Sequence, residues 1–146
     1  MIAVDTNLLV YAHREDAPLH DAALQRLAEL AEGRAPWAIA WPCLHEFLAI
    51  VTHPRIFKPP TPLEAALDQI RAWLESPSLS LLAESSGYLD TLAGLLQAGH
   101  VTGAQIHDAR IAALCLHHGV SLLWTADRDF GRFPGLKAQN PLVGTR

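Results

Sequence analysis

The chain has 146 residues, half of them hydrophobic and 18% charged, with a formal net charge of -4, which is the size and composition of one globular domain with a core of ordinary density. No apolar run approaches the ~20 residues that span a bilayer, and the first residues lack the basic, apolar and small-residue pattern of an export signal, so a cytoplasmic chain without a membrane segment is expected. An acidic balance excludes holding nucleic acid mainly by counterion release from a basic surface, and Cys43 and Cys115 stand apart with no CxxC or Cys/His cluster, which leaves disulfide, redox and zinc chemistry unsupported.

In chain order, Ile2 to Val4 reads as a short buried strand, Pro18 to Glu32 as a helix closed by Gly33, and Trp37 to Ala40 as a second strand. Pro42 to Thr52 is apolar nearly all round, with His45 and Glu46 as the polar members of its middle turns, which predicts a buried helix. Thr61-Pro62-Leu63-Glu64 has the form of a capping box with proline at the first helical position, and its helix runs to about Glu75, where Ser76-Pro77 stops it. Leu79 to Ala83 reads as a strand and Gly87 to Ala98 as a helix. Thr102-Gly103-Ala104-Gln105 forms a second capping box before a helix that ends at Gly119. Val120 to Trp124 is the clearest strand, and Asn140 to Val143 is the candidate for a last one. Strands alternating with helices from end to end predict parallel strands with helices on both faces, an α/β fold of three layers.

In such a sheet ligands bind beyond the carboxyl ends of the strands. Asp5 follows the first strand and Asp127 follows SLLWT, so the two carboxylates meet if these strands are neighbours; taken singly, each also suits a turn or a helix cap. Asp108 shares a helix face with Ile111, Ala112 and Cys115, and therefore points inward. Glu46 lies on a helix with no broad polar face, so its carboxylate has to leave water or meet a compensating partner, and an unpaired buried carboxylate costs several kcal/mol or takes up a proton. Arg55 and Arg110 are available for an ordinary ion pair. The alternative is a divalent cation, because carboxylates ~4 Å apart repel by ~4 kcal/mol at an effective dielectric near 20. Mg2+ or Mn2+ suits carboxylate oxygens and water. On that reading Asp5 and Asp108 ligate directly, Glu46 and Asp127 act through water or a second ion, and Asn7 and Thr125 orient the ligands. The eight histidines form no HxxxH or HExxH pattern, and His107 beside Asp108 is the one nearest the acids in sequence.

These residues carry a resemblance. DTN at 5 to 7, Glu46 in CLHEFLAIV, Asp108 in HDARIAAL and Asp127 in TADRDF resemble the ordered acids of PIN-domain ribonucleases, and HPRIF at 53 to 57, RFPGL at 132 to 136 and NPL at 140 to 142 extend the likeness to the VapC toxins of VapBC toxin–antitoxin pairs. Ala104 and Gln105 depart from the Gly-Asn style approach to the Asp108 helix found in many relatives. The resemblance implies a single PIN domain over residues 1–146, a PIN-like three-layer α/β/α sandwich with a mostly parallel sheet of four to five strands. It also implies metal-dependent hydrolysis of RNA at Asp5, Glu46, Asp108 and Asp127 with Mg2+ or Mn2+ as cofactor. A VapB-type antitoxin whose C-terminal segment lies over the acids and a homodimer are implied as partners. Arg14, Arg110, Arg128 and Arg132 lie in or near the motif loops as candidate contacts to RNA phosphates. Arg128 can instead pair with a neighbouring acid, and Asp129 either extends the metal site or caps the following turn, the cap being the favoured reading.

Rival functions separate on particular residues. A phosphohydrolase with Asp5 as nucleophile would usually carry a second aspartate where this chain has Asn7. A DNA nuclease shares the phosphodiester chemistry, since contact with a 2'-hydroxyl is not written in the sequence. A binding module would not need all four acids.

Overall fold

A computed structural model of the chain describes residues 1–143. Five strands, β1 (Ile2–Val4), β2 (Trp37–Ala40), β3 (Leu79–Leu82), β4 (Leu122–Trp124) and β5 (Lys137–Gln139), form one all-parallel sheet in the order β3-β2-β1-β4-β5. Six helices flank it: α1 (Thr6–His13), α2 (His20–Glu32), α3 (Trp41–Val51), α4 (Leu63–Leu74), α5 (Tyr88–Ala98) and α6 (Ile106–His117). This is the three-layer α/β/α arrangement that the alternation of strands and helices predicts.

Position in the sheet explains strand composition. Ile2 pairs with Trp37 on one side and Leu122 on the other, so β1 is central, and Ala3, Val4 and every residue of β2 are buried, as expected of strands covered on both faces. The chain first builds outward from β1 to β2 to β3. It then crosses back through α5 and α6 to lay β4 on the far side of β1. The direction of winding therefore reverses between β1 and β4, and the crevice beyond their carboxyl ends is the place where such folds bind ligands.

Helix α1 has no counterpart in the sequence reading, because Leu8, Leu9, Val10 and Ala12 are buried around most of its girth and leave no polar face to mark it. Three sequence expectations are corrected. The last strand is Lys137–Gln139 rather than Asn140 to Val143: Asn140 Oδ1 accepts from Leu142 N (3.0 Å), and Pro141 has no N–H to give a ladder, so this segment turns away. Neither capping box forms. Pro62 occupies the cap of α4 without a side-chain bond, and Thr61 Oγ1 meets His13 Nε2 (3.1 Å) and accepts from Arg14 Nη1 (3.2 Å) instead. Thr102 precedes a 3-10 turn, Gly103–Gln105, that leads into α6, with Gly103 at φ +63. Pro62 is extended at ψ 142 and Gly103 stands at positive φ, so neither takes the helical conformation that the residue after a hydroxyl cap must have. Finally, α3 is not buried all round. His45, Glu46 and Ala49 are exposed along one side, so Glu46 reaches water and does not need the buried partner that the apolar pattern suggested.

Candidate active site

Asp5 leaves β1 in an extended conformation and caps α1, with its Oδ1 accepting from Thr6 N (2.8 Å). The same oxygen accepts from the Cys43 thiol (3.6 Å), and Oδ2 accepts from Thr125 Oγ1 (2.8 Å). Its backbone N–H reaches Trp124 O (2.9 Å), which fixes the end of β1 against the end of β4. Only 5% of Asp5 is exposed. Burial outweighs the three donors and pushes the carboxyl up to about 6, with Glu46 adding to the rise.

Thr125 is the hub of the crevice. Besides donating to Asp5, its hydroxyl accepts from Asn7 Nδ2 (3.2 Å) and Asp127 N (3.0 Å), while Asn7 Oδ1 accepts from Ala126 N (3.2 Å). The DTN segment and the TAD segment are thus sewn together, side chain to backbone, across the β1–β4 boundary. Glu46 comes in from α3, where its Oε2 accepts from Thr6 Oγ1 (3.2 Å). Asp108 comes from the first turn of α6.

Asp5, Glu46, Asp108 and Asp127 line one cleft of about 120 Å3, with Asn7 at its side and Ile50, Ile111 and Phe130 forming the apolar part of the wall. The tightest group of carboxylates is Asp108, Asp127 and Asp129, whose nearest ligand atoms all lie within 4.8 Å of one another. This reverses the expectation for Asp129. The cap of the turn Arg128–Arg132 is Asp127, whose Oδ1 accepts from Asp129 N (2.9 Å), and the turn so formed leaves the Asp129 carboxylate in the cluster. The DRD spacing was the available signal, since residues two apart on a tight turn can face the same way. Thr6 and Cys43, which hold Glu46 and Asp5, carried no sequence signal of their own.

Asp108 is held above the ordinary carboxylate range first by desolvation and then by the charge of Asp127, with Asp129 and Glu46 contributing and Arg132 opposing. Among the described residues no basic side chain makes an ion pair with Asp5, Glu46, Asp108, Asp127 or Asp129, so the ordinary explanation through Arg55 or Arg110 is not realised. Five carboxylates without a basic partner, with a Cys43 thiol kept protonated by burial, form a donor set of hard oxygens, which suits Mg2+ or Mn2+ better than zinc.

The arginines divide. Arg14 is committed elsewhere: it forks onto Asp16 (2.8 and 2.6 Å), donates to Thr61 and lies 4.3 Å over the Phe57 ring, beside a separate cavity. Arg128 is exposed, lines a cavity of about 410 Å3 that borders Asp127, and makes no ion pair among the described residues. Arg110 lines a third cavity together with Glu46 and Asp108.

The PIN domain family matches residues 2–136. Ribonuclease VapC33 of Mycobacterium tuberculosis is 33% identical over 146 residues, covering 97% of this chain and 99% of its own, and ribonuclease VapC37 of the same organism is 33% identical over 141 residues, covering 97% of each. The chain therefore belongs to the PIN-domain family, among the VapC ribonucleases. Solved structures agree in fold: VapBC2 of Rickettsia felis bound to a DNA fragment from their promoter matches with a TM-score of 0.68 at 24% identity, covering 95% of this chain and 98% of that one. VapC20 of Mycobacterium tuberculosis, a toxin that cleaves the sarcin–ricin loop, matches with a TM-score of 0.66 at 17% identity, covering 93% and 98%.

Proposed function

We propose that this chain is a divalent-cation-dependent endoribonuclease, the toxin of a type II pair whose partner is a VapB-type antitoxin. The observation that carries the reading is the convergence of Asp5, Glu46, Asp108 and Asp127 on one cleft at the switch point of the sheet, without a basic partner among the described residues, in a chain 33% identical to ribonucleases along nearly its full length. The antitoxin reading draws on structural neighbours solved as toxin–antitoxin assemblies.

Asp5 and Asp108 would hold the cation, with Glu46 and Asp127 acting through water or a second ion and Asp129 adding to the negative field. When bound, Mg2+ or Mn2+ supplies the Lewis acidity that makes hydroxide available near neutral pH and offsets the charge that builds on phosphorus oxygens. The protein supplies position. Thr125 and Thr6 fix the Asp5 carboxylate, Asn7 ties the loop after β4 to the start of α1, and Arg110, in a cavity with Asp108, and Arg128, in one with Asp127, are available to the flanking phosphates. In-line attack of water on phosphorus breaks the bond to the 3' oxygen and leaves a 5' phosphate and a 3' hydroxyl.

Incubation of the purified protein with single-stranded and stem-loop RNA in Mg2+, in Mn2+ and in EDTA tests the proposal. Cleavage that needs metal, yields 5' phosphates and is lost in Asp108→Asn is expected. Cleavage that survives EDTA, or that persists in Asp108→Asn, would overturn it.

A further inference from the structure

We infer that the groove between α3 and α6, beside the acidic cleft, seats one unpaired nucleotide of the RNA next to the scissile phosphate; this rests on the ribonuclease reading above. Helical spacing gives the groove two walls. His45 and Ala49 lie one turn apart on α3, and His107 and Arg110 lie one turn apart on α6. Glu46 and Asp108 line this groove and the acidic cleft alike, so the two spaces share an edge and a strand laid over the acids continues into the groove.

The groove has the chemistry of a nucleotide site. Its volume of about 430 Å3 falls within the ~300–1,000 Å3 of small-ligand sites. The Arg110 side chain makes no ion pair among the described residues, and its Nε is buried without a hydrogen-bond partner. A guanidinium with unspent donors is matched by the oxygens of a phosphate. On the facing wall the exposed His45 ring lies tilted against Trp41, with centroids 5.9 Å apart and planes 33° apart, and Trp41 is itself 37% exposed. His107 is exposed opposite. Flat π faces beside a phosphate-binding group are how proteins take up unpaired bases, whereas bases stacked within a helix cannot reach them. Charge points the same way: a chain of net charge -4 that gathers five carboxylates at its cleft needs a cation where the flanking phosphate lies, and Arg110 provides it. The occupant is therefore a single-stranded or looped RNA nucleotide, with its base on His45 and its phosphate on Arg110.

The test uses an RNA that the wild-type protein cuts, prepared with one abasic nucleotide at each position around the cut, and compares wild type, His45→Ala, His45→Phe and Arg110→Gln after thermal melts show equal folding. One abasic position should raise the wild-type KM about tenfold. His45→Ala should raise KM on the intact RNA by about the same factor with kcat within about threefold, and should be indifferent to that abasic position. His45→Phe should restore the wild-type pattern, and Arg110→Gln should raise KM on both RNAs. An unchanged KM in His45→Ala and Arg110→Gln, or an abasic penalty that persists in His45→Ala, would overturn the groove while leaving the ribonuclease reading intact. Failure of the wild type to cut any RNA would strike that reading itself and the groove with it.

Discussion

Asp108 is partly desolvated, faces Asp127 and Asp129, and has only Arg132 to offset them. Asp108→Asn should therefore raise metal-free stability at pH 7, by less than about 1 kcal/mol once solvent screening is counted, while a Tm rise in Mn2+ shrinks and RNA cleavage disappears; calorimetry with and without metal reads the first two. Asp5 is different, since its oxygens already receive Thr6, Cys43 and Thr125. An amide there would turn a donor toward a Thr125 hydroxyl that accepts twice already, so Asp5→Asn should gain less than removal of a buried charge alone suggests. The folded state holds the Asp5 proton up to about pH 6 against a reference of 3.8. The contribution of Asp5 is thus fully stabilising at low pH and declines as pH rises from about 4 to 6, to a cost of about 3 kcal/mol above that window. Metal-free melts across that window should show a downward component that Asp5→Asn removes. Thr125→Val removes three hydrogen bonds at once. Leaving buried groups unpaired should cost about 2 kcal/mol and reduce cleavage by more than tenfold, with Thr125→Ser retaining most of both.

The local structure carrying these side chains was legible to different degrees. Strands β1, β2 and β4 could be read from short apolar runs bounded by turn residues, and α3 and α6 from their length and period. Helix α1 could not, because burial against both its neighbours and the sheet erased the polar face that marks a helix in sequence. The capping boxes misled for a related reason: a motif of side chains is effective only if the backbone presents it, and Pro62 and Gly103 redirect the backbone. The turn Arg128–Arg132 deserves a direct experiment, as it places both Asp127 and Asp129. Phe130, only 1% exposed, anchors it under the cleft wall. Phe130→Ala should cost about 3–4 kcal/mol and weaken Mn2+ affinity although no acid is altered. Retention of full metal affinity at that loss of stability would show that Asp127 and Asp129 do not depend on the anchor.

Across the sheet as a unit, the acids reach the cleft from four separated segments, and their mutual repulsion is a standing cost that a cation relieves. Native-state binding raises stability by RT ln(1 + [L]/Kd), about 2.7 kcal/mol at one hundred times Kd. Titration with Mn2+ should accordingly raise Tm progressively, and the rise should fade below about pH 6, where Asp5 takes up its proton. With a net charge of -4 and few free cations near the cleft, RNA binding should show a shallow dependence on salt, corresponding to about two or three phosphate contacts. A steep dependence would require a basic surface that this composition does not supply.

The linear order of Asp5, Glu46, Asp108 and Asp127 and the alternation of strand and helix were enough to fix the α/β class and to mark the acids, because hydrophobic period and the ends of strands are properties of neighbours along the chain. The order of the strands was not, since nothing local tells the segment after α6 to return to the far side of β1. That return decides which carboxylates converge. It also makes Thr125 the clasp between two loops and opens a second wall beside Arg110, both of which arise from contacts between residues far apart in sequence, where local propensity has no say.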